Sequence, residues 1–274
     1  MKLVTLNDQR LGRVEDDRII PFDFPGGMLG LIQAGEAGLA QAQEAMGEPL
    51  SFAIEKLAAP LTSPSKIMAI GRNYTEHAQE SKSAIPERPL LFAKFPTTII
   101  GPGAEVTWNP ALSDKIDFEA ELAVIIGKTA RRVAEAEALD YVFGYTCAND
   151  VTARDLQKGD GQWVRGKSLD TFCPLGPWLV TANEVPDPQD LPIRCLVNGQ
   201  TMQDSHTGKM IFSVAYLISY LSQAFTLLPG DILLTGTPDG VGAYREPPVF
   251  LKHGDVMAVE IDGVGRLVNR CRTE

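Results

Sequence analysis

The stretch from Asp114 to Lys128, DKIDFEAELAVIIGK, narrows what this chain can become. Phe118, Ala120, Leu122, Val124 and Ile126 recur at every second position, the period of a β-strand with one face in a core. The opposite face starts with Asp117, Glu119 and Glu121. Carboxylates that close repel one another. Such a face needs bulk water, which screens the repulsion cheaply, or a cation. In a cleft with neither, the carboxylate pKa values rise. Hard divalent ions such as magnesium, manganese or calcium take oxygen ligands of this kind. Asp150, at the end of the strand-like run 142–150, is a candidate to complete such a site. On these residues alone, a solvated strand face and a cation site both stand.

The rest of the chain reads as mostly strand. Residues 1–22 look like short strands with a turn at NDQ, and the Ala-, Leu- and Gln-rich stretch 28–47 looks helical. The Pro- and Ser-rich segment 58–66 marks a boundary between a small N-terminal α+β domain, 1–60, and a larger unit, 61–274. In that unit, 66–71, 89–96 and 104–108 read as strands and 134–141 as a short helix. Asn198-Gly199 and Asp262-Gly263 read as hairpin turns, and the apolar positions Val214, Leu217, Ile218 and Leu221 as one helix face. Many hairpins and few helices predict a mostly β, α+β fold rather than a doubly wound sheet.

The balance of 35 acidic against 25 basic residues, net charge −10, argues against a nucleic-acid partner. Cys147, Cys173, Cys195 and Cys271 are widely spaced with no C-x-x-C pair, so reduced thiols are expected rather than disulfides or zinc. No apolar run reaches the ~18 residues of a membrane span, and MKLVTLNDQR lacks a signal-peptide core, so a cytoplasmic protein without a membrane partner is expected.

Three further segments carry candidate chemistry. In GRNYTEHAQE, His77 and Glu80 lie three apart, so on a helix they share a face as a base and its orienting carboxylate, or else form an idle exposed pair. The segment 149–177 is dense in polar groups, among them Arg154, Gln157 and Lys167, and is either a solvated connector or the wall of a site. In LLTGTPDGVG, Gly236 and Gly240 allow turns with free backbone N–H groups, a workable anion nest. No P-loop or dinucleotide-binding pattern is present.

Taken in order, IGRNYTEHAQE, PLLFAKFPTTIIGPG, DFEAELAVIIGK, FGYTCANDVTARDLQ, GKSLDTFCPLGPW and GDILLTGTPDGVG resemble the fumarylacetoacetate hydrolase superfamily over roughly 66–270. The resemblance implies that family's mostly β C-terminal-type fold, usually in a homodimer. It implies Glu119, Glu121 and Asp150 as ligands of a divalent cation, normally magnesium. It implies His77 and Glu80 as the catalytic dyad on a mobile lid, Lys167 as the active-site lysine, and Arg154, Gln157, Thr237 and Lys94 as substrate-side groups. Asp117 is not among the family's ligands. The implied activity is metal-assisted hydrolysis of a C–C bond in a small anionic β-diketo acid such as an acylpyruvate. Oxaloacetate decarboxylation, isomerisation of a hydroxymuconate-type dienol, and a non-catalytic metal-stabilised β-protein are the alternatives.

Overall fold

A computed structural model describes residues 1–274. Its main sheet has eleven strands. At its centre lie Cys173–Thr181, Val142–Asn149 and Ala120–Ile126, each antiparallel to its neighbour. Ile232–Leu234 runs antiparallel to Ala120–Ile126, Ile67–Gly71 runs parallel to Ile232–Leu234, and Leu90–Lys94 closes that edge. These directions bring the C-terminal ends of Val142–Asn149, Ile232–Leu234 and Ile67–Gly71 beside the N-terminal end of Ala120–Ile126. Asp150, Gly236, Asn73 and Glu119 all lie just beyond those ends. The topology thus collects segments far apart in sequence at one rim of the sheet.

The mostly β, α+β expectation holds. Residues 1–60 do not form a sheet of their own: Lys2–Thr5 pairs antiparallel with Cys173–Thr181, and Leu11–Glu15, Arg18–Phe22 and Leu50–Ser51 extend the main sheet outward. The helical stretch is two helices, Gly27–Ala34 and Glu36–Glu44, parted by Gly35 at φ 57°. A second, five-stranded sheet holds both hairpins. Asn198 and Gly199 both take positive φ, as a tight two-residue hairpin turn requires. The segment 134–141 is a 3-10 turn, Glu135–Tyr141, and helix Val214–Ala224 starts where Ser213 Oγ accepts the Tyr216 N–H.

Phe118, Leu122, Val124 and Ile126 pack with Ile193, Val259 and Leu267 of the second sheet and with Leu217 and Leu221. On the other face, Ala123 and Ile125 pack in the cluster that holds Met28, Leu31 and Ile32 of the first helix. Ala120–Ile126 is therefore buried on both faces, and its acidic side does not open to bulk water. All four cysteines are buried and free.

Candidate active site

Glu119, Glu121 and Asp150 are 4%, 1% and 0% exposed, and each offers an oxygen within 4.8 Å of the others. The solvated-face alternative is thereby excluded. Three cations partly neutralise the cluster. Lys167 Nζ donates to Glu119 Oε2 and Asp150 Oδ2, each at 2.6 Å. Lys94 Nζ lies 2.7 Å from Asp150 Oδ1. Arg154 reaches Glu119 Oε1 at 2.6 Å and Asp117 Oδ2 at 2.8 Å. Four buried carboxylates, Asp117 included, thus face three cations.

Glu121 is the acid left without a cationic partner: its hydrogen bond comes from the Gly236 N–H at 2.7 Å. Burial, then the charges of Asp150 and Glu119, push its pKa well above the usual carboxylate range. Burial acts the same way on Glu119, but Lys167, Arg154 and His77 override it and bring that pKa down to about 2. An all-oxygen, buried donor set with one uncompensated acid fits a hard divalent cation.

Asp117 does not belong to the same strand. It lies in Ile116–Asp117, which pairs with Thr152–Ala153 in a separate two-stranded ladder. Between the ladders the backbone turns to side chains: the Glu119 N–H donates to Asn149 Oδ1 and the Ala120 N–H to Gln203 Oε1, each at 2.9 Å. The even alternation in the sequence hid this interruption.

The Gly-rich segment is a nest, but its anions are the protein's own. The Gly236 N–H holds Glu121, and the Gly240 N–H holds Glu80 Oε2 at 2.9 Å. The Gly242 and Ala243 N–H groups hold Asp117 at 2.7 and 3.0 Å. Gly236 and Gly240 sit at φ 96° and 94°, and a Cβ on Gly240 would come within 2.3 Å of the Met202 carbonyl oxygen. Other residues are disfavoured at both places.

His77 and Glu80 lie on one helix, Thr75–Glu80, with His77 Nδ1 2.7 Å from Glu80 Oε1. A carboxylate accepts, so Nδ1 carries the proton and Nε2 is the basic nitrogen. His77 is 6% exposed, which rules out the idle surface pair. Asn73 anchors the helix: its side chain donates to the Phe212 and Thr235 carbonyls and accepts from the Phe212 N–H.

A cavity of about 270 Å³ is walled by His77, Glu119, Glu121, Arg154, Gln157, Lys167 and Thr237, so most of the site residues expected from sequence share one space. Glu80 and Asp150 stand behind the wall, bonded to His77 and Lys167. Lys94 is not on the wall. Its ammonium, 1% exposed as a residue, is engaged by Asp150 and by the Lys167 and Val151 carbonyls, which places it behind the acids and not beside a substrate. Arg154 reaches the wall, but Asp117, Glu119 and Gln157 occupy its guanidinium.

The groups that remain free are donors. Gln157 Oε1 accepts from Arg154, which leaves its NH2 available. Thr237 Oγ1 accepts from Gln203 Nε2 at 2.8 Å, which leaves its O–H available. Lys167 uses two of its three N–H bonds on carboxylates. These donors in the cavity of His77 thus suit an anionic, carbonyl-rich ligand.

Sequence reading missed Gln203, Arg72, Trp163 and Tyr244. Gln203 is 1% exposed and ties the acidic strand to Thr237 and the Pro238 carbonyl; its place in a hairpin of the other sheet gave no signal. The other three line the cavity. Gly166, just before Lys167, permits the close approach of the helices Arg154–Gly159 and Val164–Lys167: an added Cβ would lie 2.5 Å from the Gln157 nitrogen and 2.9 Å from the Ala153 oxygen. Gly166→Ala is expected to cost about 1–3 kcal/mol through overpacking and to shift Lys167 and Gln157 together. A lowered melting temperature and a lowered kcat/KM would both be measured. An unchanged pair of values would refute the packing role.

The family described as Fumarylacetoacetate (FAA) hydrolase C-terminal matches residues 66–272. The chain is 45% identical over 263 residues to a protein of Xenopus laevis named a mitochondrial oxaloacetate tautomerase, a span of 94% of this chain and 82% of that one. Among solved structures it is similar to maleylpyruvate hydrolase from Sphingobium sp. SYK-6, with TM-score 0.85, 32% identity and full coverage of both chains. It is also similar to 5-carboxymethyl-2-hydroxymuconate delta-isomerase from Mycobacterium smegmatis, with TM-score 0.79, 35% identity and coverage of 100% and 99%. The mitochondrial name of the first relative gives no support to the cytoplasmic expectation. No helix of the chain is long and apolar enough to cross a membrane.

Proposed function

The chain belongs to the fumarylacetoacetate hydrolase family, and on that premise we propose that it catalyses keto–enol interconversion of a small 2-oxo dicarboxylate of the oxaloacetate type. The observation that carries this reading is His77, oriented by Glu80, on the same cavity wall as Glu119 and Glu121 of the acidic triad, with Asp150 just behind them. Tautomerisation asks for a base at one place and stabilisation of an enolate at another, and no more. The 45% identity to a protein named for this activity agrees.

Glu119, Glu121 and Asp150 would hold a divalent ion such as magnesium, which would supply Lewis-acid stabilisation of enolate charge. His77 Nε2 accepts the enol O–H proton, and the same proton is returned to the neighbouring carbon. Glu80 keeps Nδ1 protonated and balances the imidazolium between the two transfers. Gln157, Thr237 and the remaining N–H of Lys167 orient the oxygens of the substrate. Burial works against the Lys167 ammonium, but Asp150 and Glu119 outweigh burial and raise its pKa.

Hydrolysis of an acylpyruvate is the second reading, favoured by the likeness to maleylpyruvate hydrolase. It uses the same dyad, with His77 activating a water. The test is a panel of oxaloacetate, acetylpyruvate and fumarylpyruvate, each with magnesium and with chelator. Enol loss followed by ultraviolet absorbance, without cleavage products or CO2, supports tautomerisation. Pyruvate release from the acylpyruvates supports hydrolysis, and CO2 release from oxaloacetate supports decarboxylation. If none turns over above the buffer rate, both proposed readings fail.

Removal of divalent ions is expected to reduce turnover to background and also to lower the melting temperature. Loss of a ligand held at ~100 times its Kd removes about 2.7 kcal/mol of stability. Melting curves with EDTA, then with magnesium, manganese or calcium restored, check this without reference to any substrate. Identical curves would exclude a tightly held ion.

A further inference from the structure

Of the cations lining the cavity, two are paired with acids and two are not. Arg154 and Lys167 are paired with Asp117, Glu119 and Asp150. Arg72 and Lys158 have no carboxylate partner, and each lies over an aromatic ring of the same cavity: Arg72 5.5 Å from the centre of Trp163, Lys158 5.6 Å from the centre of Tyr244. Arg72 donates besides to Ser83 Oγ at 2.8 Å. In a chain of net charge −10, un-neutralised cations at one cavity are a device for meeting an anion brought from outside.

Tyr244 is held from behind. It ends the 3-10 turn Gly242–Tyr244, whose N–H groups hang on the buried Asp117. Its ring lies 6.1 Å from that of His77. Lys158 is exposed, and the face of a fixed aromatic ring is a favoured seat for an ammonium. If the acidic triad and the donors Gln157 and Thr237 take the 2-oxo acid end of a ligand, as the proposed reaction requires, the cation seated on Tyr244, next to His77, is placed to meet a second negative charge.

We propose that Lys158, seated on Tyr244, is the specificity-determining residue of the site and selects 2-oxo dicarboxylates over monocarboxylates by pairing with the distal carboxylate. This assignment deepens the proposed reaction and rests on it for the substrate class. The Lys158 position lies on the surface of helix Arg154–Gly159, so its substitutions leave the fold intact.

The test uses non-reacting probes, malate with two carboxylates and lactate with one, each titrated calorimetrically into the magnesium-loaded full chain at low ionic strength. The ratio of the two affinities is the readout. Lys158→Met is expected to shrink that ratio about 1.4- to fivefold, the range of an exposed ion pair. Lys158→Glu is expected to shrink it further, and Lys158→Arg to keep it. Tyr244→Leu, which removes the seat and leaves the charge, is expected to fall between wild type and Lys158→Met. A ratio unmoved in both Lys158→Met and Lys158→Glu overturns the assignment even if oxaloacetate is turned over. A ratio that collapses while no substrate of the panel reacts keeps the distal subsite and refutes the reaction instead.

Discussion

Asp117→Asn is expected to unfold at a temperature well below that of the unaltered protein. The carboxylate is 0% exposed. It accepts N–H bonds from Phe118, Gly242 and Ala243 and pairs with Arg154 at 2.8 Å. An amide in its place turns an NH2 toward donors and leaves Arg154 with one acid fewer. Removal of one partner from a buried, hydrogen-bonded ion pair costs about 3–5 kcal/mol, which for a chain of this size lowers Tm by about 5–9 °C. Asp114→Asn, close by in sequence but on an exposed side chain, is the control and should stay within about 0.5 kcal/mol. Calorimetric melting of the two variants beside wild type decides the matter. A Tm for Asp117→Asn equal to that of Asp114→Asn would mean that these contacts carry no net stability.

His77→Ala is expected to lower kcat/KM by about 10²–10⁴-fold, the usual contribution of a positioned general base, with the affinity for magnesium retained. The separation follows from the layout. His77 and Glu80 come from the helix after strand Ile67–Gly71, whereas the three acids come from Ala120–Ile126 and its flanks and from the residue after Val142–Asn149. Kinetics with the best substrate of the panel and calorimetry with magnesium are measured on the same sample. Activity above one tenth of wild type would place the base elsewhere. A lost magnesium affinity would show that the imidazole belongs to the ion's surroundings and not to the proton transfer.

The legible parts of this molecule were those written in local period. Phe118 to Ile126 read as a core strand because side chains alternate, and the two hairpin turns read because Gly at positive φ is a local demand. Glu119 and Glu121 were visible as a pair for the same reason, and His77 with Glu80 because three residues make most of a helical turn. The resemblance joined these pieces to Asp150, Gln157, Lys167 and Thr237. What stayed hidden was the choice of distant partners. Nothing near Asp117 announces that residues 242 and 243 will bring their N–H groups to it. Nothing near Lys2–Thr5 announces a pairing with Cys173–Thr181, so the N-terminal strands read as a separate body when they extend the main sheet. Lys94 was expected on the substrate side, but its ammonium pairs with Asp150 away from the cavity wall, a choice of partner that nothing near it in sequence announces.

Residues 236–243 grip Glu80, Asp117 and Glu121 through backbone N–H groups alone. Because main chain does the holding, the side chains of that segment carry little of the scaffold. Asp239, and Tyr244 just after the segment, can change without letting go of a single acid, whereas the glycines at 236 and 240 cannot. A lineage built on this plan can therefore rewrite which molecule it accepts while its acid–base apparatus is inherited intact. That division of labour suits a fold whose members carry names as different as tautomerase, isomerase and hydrolase.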